Sequence, residues 1–245
     1  MFTSKLLGAL LLLGVSHTYA QTESPSILDS PPDDSLEDKT NPSQPFRFNL
    51  TLKNMHLWRG YRVTDESMAA ANVHYVSKNG NFKAGLWGGV GFSGNYTEFD
   101  YYMSYSYKQW DFSIWDINNY TDFPNADIFN YDRAETSHFI DVSATYTFYE
   151  FPLQLSWSTI VLGRDTYTTT SGELKNAYTN YVEASYVVAE GKNWQLGLYA
   201  GAAFSFENES HFYGNQLGLN NIGATYSKSL MLMDDYPIPV RATAM

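Results

Sequence analysis

The stretch Glu98-Phe99-Asp100-Tyr101-Tyr102-Met103-Ser104-Tyr105-Ser106-Tyr107 (98–107) decides the fold. Aromatic or apolar side chains occupy its odd positions, while acidic side chains, serines and one tyrosine occupy its even positions. A period of two places successive side chains on opposite faces of a β-strand. This stretch therefore predicts a strand with one apolar face and one largely polar face.

The same alternation recurs in eleven tracts, and no segment between them shows a convincing helical period of 3.6 residues. The tracts are 46–58, 68–77, 81–92, 98–107, 109–118, 138–148, 151–161, 177–189, 194–206, 216–230 and 236–244. Most are about as long as the 9–11 residues that a tilted strand needs to cross a bilayer, whereas strands of soluble proteins average about 5–6 residues. The pattern predicts an all-β, antiparallel, up-and-down transmembrane β-barrel.

The connections between the tracts alternate in length, which supports the same fold. Short turns such as 78–81 alternate with longer polar segments at 59–67, 119–135, 163–176 and 207–215, and only 93–96, at the second of the long positions, is short. Outer-membrane barrels have short periplasmic turns and longer external loops. The alternative is a soluble sandwich or barrel, in which nothing sorts the loops by length.

The composition fits a sheet with one apolar and one polar face. The 245 residues include 17% charged and 17% aromatic residues, with a mean hydropathy of −0.34. The absence of cysteine excludes disulfides, thiolate metal sites and cysteine nucleophiles. The net charge of −11 argues against nucleic acid as a partner, because phosphate binding needs clustered lysine and arginine.

The N-terminal 44 residues differ from the rest of the chain. Residues 1–20 combine a lysine, an apolar run and a small residue, Ala20, at a cleavage position, which predicts a cleaved signal peptide. Residues 21–44 hold six acidic residues, four prolines and no aromatics, which predicts a disordered acidic linker. The barrel is expected over 45–245, in the cell outer membrane.

The strand count predicts one further strand. If the first tract starts in the periplasm, the eleventh tract ends outside, whereas bacterial single-chain barrels have an even number of strands. We therefore expect eleven visible strands of a twelve-stranded barrel. The alternatives are that one tract is divided wrongly, or that the N-terminal strand closes the ring in parallel.

Charged residues at inward positions are the candidate lumen lining. They are Arg47, Lys53, Lys83, Glu98, Asp100, Asp141, Glu183 and Arg241. They either form a mixed-charge pore that sets selectivity, or pair with one another and plug a narrow barrel. Glu98 and Asp100 are expected to neighbour Lys83 on the adjacent strand.

Tryptophans near the tract ends are the candidate interface girdle. They are Trp58, Trp87, Trp110, Trp157 and Trp194. Arg59, which follows the first of them, is expected to anchor at the interface and to pair within the loop, for instance with Asp65. The alternative is a lumenal gate residue.

Catalytic and metal sites are not predicted. Ser137 and His138 are adjacent, so in a strand they face opposite sides, and the chain contains no Gly-x-Ser-x-Gly motif. His56 with His74 is a weak candidate for a metal site, and the acidic segment 122–135 is a weak candidate for calcium. No enzyme activity, metal or cofactor is therefore expected.

Three segments carry a family resemblance. Residues 57–65 contain Trp-Arg-Gly, residues 81–89 contain Gly-x-Trp, and residues 96–102 contain Tyr-x-Glu-x-Asp. Together they resemble the TorF-type porin family of Gram-negative outer-membrane proteins, over most of 48–240. The resemblance implies an outer-membrane barrel, a passive channel and one more strand after Pro239-Val240. It implies no catalytic motif.

The expected function is that of an outer-membrane porin for passive diffusion of small hydrophilic solutes. The alternative is a non-conducting envelope or adhesion barrel that acts through its external loops, of which the aromatic segment 119–135 is the longest. The expected partners are outer-membrane lipid, lipopolysaccharide, the barrel-assembly machinery and small solutes.

Overall fold

The computed structural model describes residues 45–123, 127–232 and 236–245. The predicted signal peptide (1–20) and acidic linker (21–44) lie outside the described residues. Within those ranges the chain forms strands joined by turns and loops. None of these residues belongs to a helix long and apolar enough to cross a membrane.

Seventeen strands are present in the described ranges. They are β1 (Phe46–Lys53), β2 (His56–Trp58), β3 (Tyr61–Thr64), β4 (Met68–Val76), β5 (Phe82–Gly91), β6 (Thr97–Tyr107), β7 (Trp110–Asn118), β8 (His138–Thr147), β9 (Leu153–Gly163), β10 (Thr166–Thr168), β11 (Leu174–Asn176), β12 (Asn180–Gly191), β13 (Trp194–Phe204), β14 (Ser210–His211), β15 (Gly214–Asn215), β16 (Gly218–Leu232) and β17 (Tyr236–Ala244).

Eleven of these strands form one antiparallel sheet. Its order is β1-β4-β5-β6-β7-β8-β9-β12-β13-β16-β17, so each strand pairs with the next long strand in the chain. The prediction of an all-β antiparallel meander is confirmed. Within the described residues β1 and β17 are the two edges of this sheet and do not pair with each other, so the sheet is open.

The remaining six strands form three small hairpins in the connections. They are β2–β3, β10–β11 and β14–β15. The sequence predicted these connections as loops, and it predicted 46–58 as a single strand. In the structure the first long strand ends at Lys53, and residues 56–58 belong to the first hairpin.

The two faces of the large sheet differ in polarity, as the alternation predicts. In β6 the odd residues Met103, Tyr105 and Tyr107 are exposed, whereas Asp100 and Tyr102 are buried. Among the described residues the buried side chains comprise 26 polar or charged residues against 12 apolar or aromatic ones. The large apolar side chains lie mainly on the opposite, exposed face.

The polar face is concave, because a single short hairpin contacts strands far apart in the sheet. His56 of β2 stacks on Trp87 of β5, and the backbone oxygen of Arg59 accepts a hydrogen bond from Asn220 of β16. β5 and β16 are seven positions apart in the strand order of the large sheet, which is about 34 Å in a flat sheet at roughly 4.8 Å per strand. Residues 56–59 can span at most about 10 Å. The sheet therefore curves around the hairpin.

Within the described residues, three bulges interrupt the register of the large sheet. One leaves Val188 of β12 unpaired, opposite Leu196 and Gly197, and the other two lie near the hairpin β2–β3. Of these two, one leaves Val161 of β9 unpaired, opposite Ile140 and Asp141, and the other leaves Asn220 of β16 unpaired, opposite Gly201 and Ala202. Bulges re-aim side chains and increase local twist. The bulges at Val161 and Asn220 lie next to residues of the site described below.

Candidate functional site

The hairpin β2–β3 occupies the concave face and forms the candidate site. Its strands are joined by the two-residue turn Arg59-Gly60, with φ values of 49° and 79°. Two positive φ angles define the type I′ turn that favours asparagine or glycine at its first position. An arginine there costs about 1–2 kcal/mol in backbone strain, so favourable contacts of its side chain must offset this strain.

Arg59 makes those contacts with the walls of the curved sheet. Its Nη1 donates to Asp141 Oδ1 at 2.8 Å and its Nη2 donates to Asp141 Oδ2 at 2.7 Å, a bidentate ion pair between β8 and the hairpin. Nη2 also donates to Ser158 Oγ of β9 at 2.8 Å. The guanidinium lies over the rings of Trp58 and Tyr181, at 4.6 and 5.3 Å from their centroids.

The electrostatics of Arg59 favour its charged form. Burial alone would lower the pKa of Arg59, but the charge of Asp141 and the hydrogen bonds to Asp141 and Tyr213 more than offset that effect and raise its pKa above the ordinary value. Burial also raises the pKa of the Tyr213 phenol, which keeps this group neutral. Arg59 therefore stays charged, and its ion pair with Asp141 links the hairpin to β8 inside the curved sheet.

The tip of the hairpin docks on the bulge of β16. Asn220 Nδ2 donates to the backbone oxygen of Arg59 at 2.9 Å. A Cβ atom on Gly60 would lie 2.1 Å from the backbone oxygen of Asn220. Only glycine therefore fits at this point, because it adopts a positive φ without strain and has no Cβ atom that would clash with Asn220.

Aromatic side chains pack around the hairpin. Trp58 contacts Phe139, Phe212 and Tyr213, with ring centroids 5.4–5.7 Å apart. Phe212 and Tyr213 come from the β14–β15 connection, which is fixed where the backbone nitrogen of Phe212 donates to Thr179 Oγ1. Two connections therefore meet inside the curved sheet.

Beside the hairpin lies a cavity of about 270 Å³. Aromatic walls come from residues such as Trp58, Trp115 and Phe139. Besides the Arg59–Asp141 pair, its charged lining residues are Glu98, Asp100, Asp122 and Arg164. The cavity is therefore amphipathic, with charges of both signs.

Arg164 has an unusual position in this cavity. Its guanidinium carbon lies 5.4 Å from the ring centroid of Phe139 and 5.8 Å from that of Phe123. Burial lowers the pKa of Arg164, and the charges of Glu98 and Asp122 oppose this shift without cancelling it. Within the described part of the chain, its buried Nε has no hydrogen-bond partner.

The structure brings together some of the candidate lumen residues. Glu98, Asp100 and Asp141 all line the cavity. Lys83 is buried on the same face, opposite Ser104 rather than Glu98 or Asp100, and it interacts electrostatically with Asp111. In the register of β5 on β6, Asp100 lies opposite Trp87 and Glu98 lies opposite Gly89, so neither carboxylate is directly opposite Lys83.

The other candidate lumen residues do not line the cavity, but Lys53 lies beside it, with its Nζ 3.4 Å from His56 Nδ1 and 5.9 Å from the ring centroid of Trp87. Glu183 is half-buried on β12 and accepts hydrogen bonds from Tyr181 and Ser185. Arg47 and Lys53 are half-buried on the edge strand β1, and Arg241 is exposed on the edge strand β17.

The candidate girdle tryptophans divide into two groups. Trp110 and Trp157 are exposed, at 42% and 48%, and Trp194 stacks on the exposed Tyr226. Trp87 is instead buried on the polar face, because it has the same parity as Lys83. Trp58 also lies inside, since the turn that follows it folds inward. Neither therefore occupies the exposed face that a girdle residue requires.

The sequence missed two interior arginine arrangements. Arg59 pairs with Asp141 of the distant strand β8, because the hairpin folds into the sheet instead of continuing β1. Arg164 carries no local motif that predicts its burial. An arginine at the first position of an Arg-Gly turn was the one available signal, since asparagine or glycine is favoured there.

A second buried cluster lies on the other face of the sheet. His138 Nδ1 lies 2.7 Å from Asp116 Oδ1, and the Tyr131 hydroxyl donates to Asp116 Oδ2 at 2.5 Å. Burial, and then the hydrogen bond to Asp116, raise the pKa of Tyr131. Ser137 Oγ donates to Asn118 Oδ1, so this cluster ties Tyr131 and Ser137 to the end of β7.

No three metal-ligating side chains converge among the residues that the structure describes. Comparisons of the chain with protein-family models, curated proteins and solved structures find no match.

Proposed function

We propose that this protein is an outer-membrane β-barrel of the porin kind, which passes small hydrophilic solutes by passive diffusion. The observation that carries the proposal is the inverted burial of the large sheet. Polar side chains predominate among its buried residues, while large apolar side chains such as Leu86, Met103 and Phe112 are exposed in mid-strand. A soluble protein buries mostly apolar residues and rarely exposes a continuous apolar surface.

The dimensions and connections of the strands support the same proposal. Ten of the eleven sheet strands have at least nine residues, which is enough for a tilted strand to cross the hydrocarbon core. The apolar face would contact outer-membrane lipid and lipopolysaccharide, after insertion by the barrel-assembly machinery. The proposal requires the edges of β1 and β17 to be covered in the membrane, because an unpaired backbone group in lipid costs several kcal/mol.

The interior hairpin gives specific support to a second candidate, a non-conducting barrel that acts through its external connections. Arg59 and Gly60 reach both β8 and β16, so the hairpin obstructs the concave face. In the porin proposal the hairpin is a constriction beside which solutes pass. In the alternative it is a permanent plug.

Planar-bilayer recording separates these functions. The chain would be refolded in detergent, and its folding checked by circular dichroism and by a heat-modified gel shift before reconstitution. Discrete single-channel steps would support the porin. Silence from folded, inserted protein would reject the porin and favour the plugged barrel, and a detergent-free soluble monomer would reject both.

A further inference from the structure

We propose that the cavity beside the hairpin binds one pyranose ring of a neutral saccharide. Arg164 and the carboxylates of the cavity would hydrogen-bond to the hydroxyl groups of the sugar, and the aromatic residues would contact its C–H face. The inference rests on the proposed channel function, since it names the class of hydrophilic solute that the channel binds.

The charges at the cavity nearly balance, which argues against an ion as the ligand. Among the described residues, the cations at the cavity are Lys53, Arg59 and Arg164, and the carboxylates that line it are Glu98, Asp100, Asp122 and Asp141. Asp141 pairs with Arg59, and Glu98 and Asp100 each have interaction partners of their own. A further charge buried here would lack a counter-ion, whereas a neutral solute avoids this cost.

Hydroxyl groups match a cavity that offers donors and acceptors side by side. A hydroxyl both donates and accepts, and an ionised carboxylate has about four acceptor positions, so it can keep its partners and still accept from a hydroxyl. Arg164 supplies a donor, because its buried Nε has no hydrogen-bond partner within the described residues. Hydrogen bonds to charged groups are stronger than those between neutral groups, so a few of them can hold a solute that carries no charge.

The walls and the size of the cavity suit a single sugar ring. Six aromatic residues line it, namely Trp58, Tyr61, Trp87, Trp115, Phe139 and Phe212. Tyr102 stacks on Trp115 with ring centroids 4.2 Å apart, which fixes the plane of this indole. A pyranose presents C–H groups on its face and hydroxyls on its rim, so it can contact aromatic and charged side chains together. The volume of about 270 Å³ lies just below the 300–1,000 Å³ of typical ligand pockets.

Four related probes test the proposal: D-glucose, protonated D-glucosamine, which adds a positive charge, D-glucuronate, which adds a negative charge, and sorbitol, which has the hydroxyls but no ring. The full chain would be refolded in a detergent without a sugar headgroup, and binding measured by tryptophan fluorescence and saturation-transfer NMR. Glucose should bind at least about 10-fold more tightly than each of the other three probes.

Three results would overturn the proposal. Tighter binding of glucosamine or glucuronate would show that the cavity selects an ion. Equal binding of sorbitol would show that the aromatic wall does not recognise the ring. A folded chain without saturable glucose binding would show that the cavity is not a saccharide site.

The variant Arg164→Gln should weaken glucose binding by about 10-fold, because hydrogen bonds from a charged donor are lost. Arg133→Gln is the matched control, because Arg133 is exposed and does not line the cavity. If Arg164→Gln folds and binds glucose like the parent chain, the assignment is wrong. Arg164→Lys, which keeps the charge but loses the planar group of donors, should restore only part of the affinity.

Binding and conductance are separate readouts, so the two proposals can fail independently. A chain that conducts but shows no preference for glucose retains the channel function and loses the binding site. A chain that binds glucose through Arg164 but never conducts retains the site and loses the channel function.

Discussion

Arg59 is a charged residue at a strained backbone position, and its guanidinium donates to side chains on two strands of the large sheet. The alternation of the sequence placed Glu98, Asp100 and Asp141 correctly on one face, because parity follows from the strand itself. The alternation could not reveal that Arg59 pairs with Asp141, because 82 residues separate them and only the curvature of the sheet brings them together. The parity rule, applied to Trp87, also predicts its inward position.

Breaking the Arg59–Asp141 pair on one side should be costly. Asp141→Asn or Arg59→Gln leaves a buried charge without its partner, and each should reduce the free energy of unfolding by about 3–5 kcal/mol. The double variant Arg59→Met with Asp141→Leu should lose much less. Urea unfolding in detergent micelles measures these differences.

The control for that series is the exposed pair Lys175–Glu173. Its removal by Lys175→Gln should change stability by less than about 1 kcal/mol. Single variants at Arg59 and Asp141 that are no more destabilising than this control would show that the buried ion pair does not hold the hairpin.

Alanine variants of Gly60 and Gly80 distinguish the stability cost of backbone strain from the cost of a steric clash. Both have similar positive φ values, 79° and 75°, but only at Gly60 would a Cβ atom meet other atoms, the nearest being the backbone oxygen of Asn220. Gly80→Ala should cost about 1–2 kcal/mol, whereas Gly60→Ala should cost clearly more and expose Trp58. Thermal unfolding together with tryptophan emission tests this, and equal costs would argue against docking of the hairpin on β16.

At the scale of elements, the sequence predicts the long strands well and the short hairpins poorly. Each of the eleven tracts corresponds to one strand of the large sheet, because a period of two over about ten residues is a strong signal. The hairpin β2–β3 was missed because Leu57 and Trp58 continue the apolar pattern of the preceding strand. Its inward direction depends on contacts with β8, β9 and β16, which no local pattern encodes.

Replacing residues 56–64 with a flexible Gly-Ser segment of equal length should raise the conductance, because the concave face would lose its obstruction. The matched control is the same replacement over 166–174, a hairpin segment that does not line the cavity. Single-channel recording would show a larger step for the first variant only. Unchanged steps in both would mean that β2–β3 does not constrict the path.

At the scale of the whole molecule, the inverted distribution of polar and apolar residues defines which solvent each face meets. Ile114 is exposed in the middle of β7, whereas Phe206 is exposed in a connection. In the membrane proposal, Ile114→Arg should cost about 2–4 kcal/mol near the bilayer midplane, and Phe206→Arg about 0–1 kcal/mol at the interface. Urea titration in lipid vesicles measures both losses of stability. Equal losses for the two variants would show that the exposed face does not contact lipid.

The docking of the hairpin on Asn220 joins residues 161 positions apart in the chain, about twice the separation of Arg59 and Asp141. Contacts of this kind form late in folding, because their loop-closure entropy is repaid only after the intervening strands have paired. In a refolding time course, β-sheet ellipticity should therefore appear before the final change in Trp58 fluorescence, measured with the other tryptophans replaced by phenylalanine. Simultaneous phases would contradict this order. In the expected order, the hairpin docks inside the curved sheet only after β16 has paired.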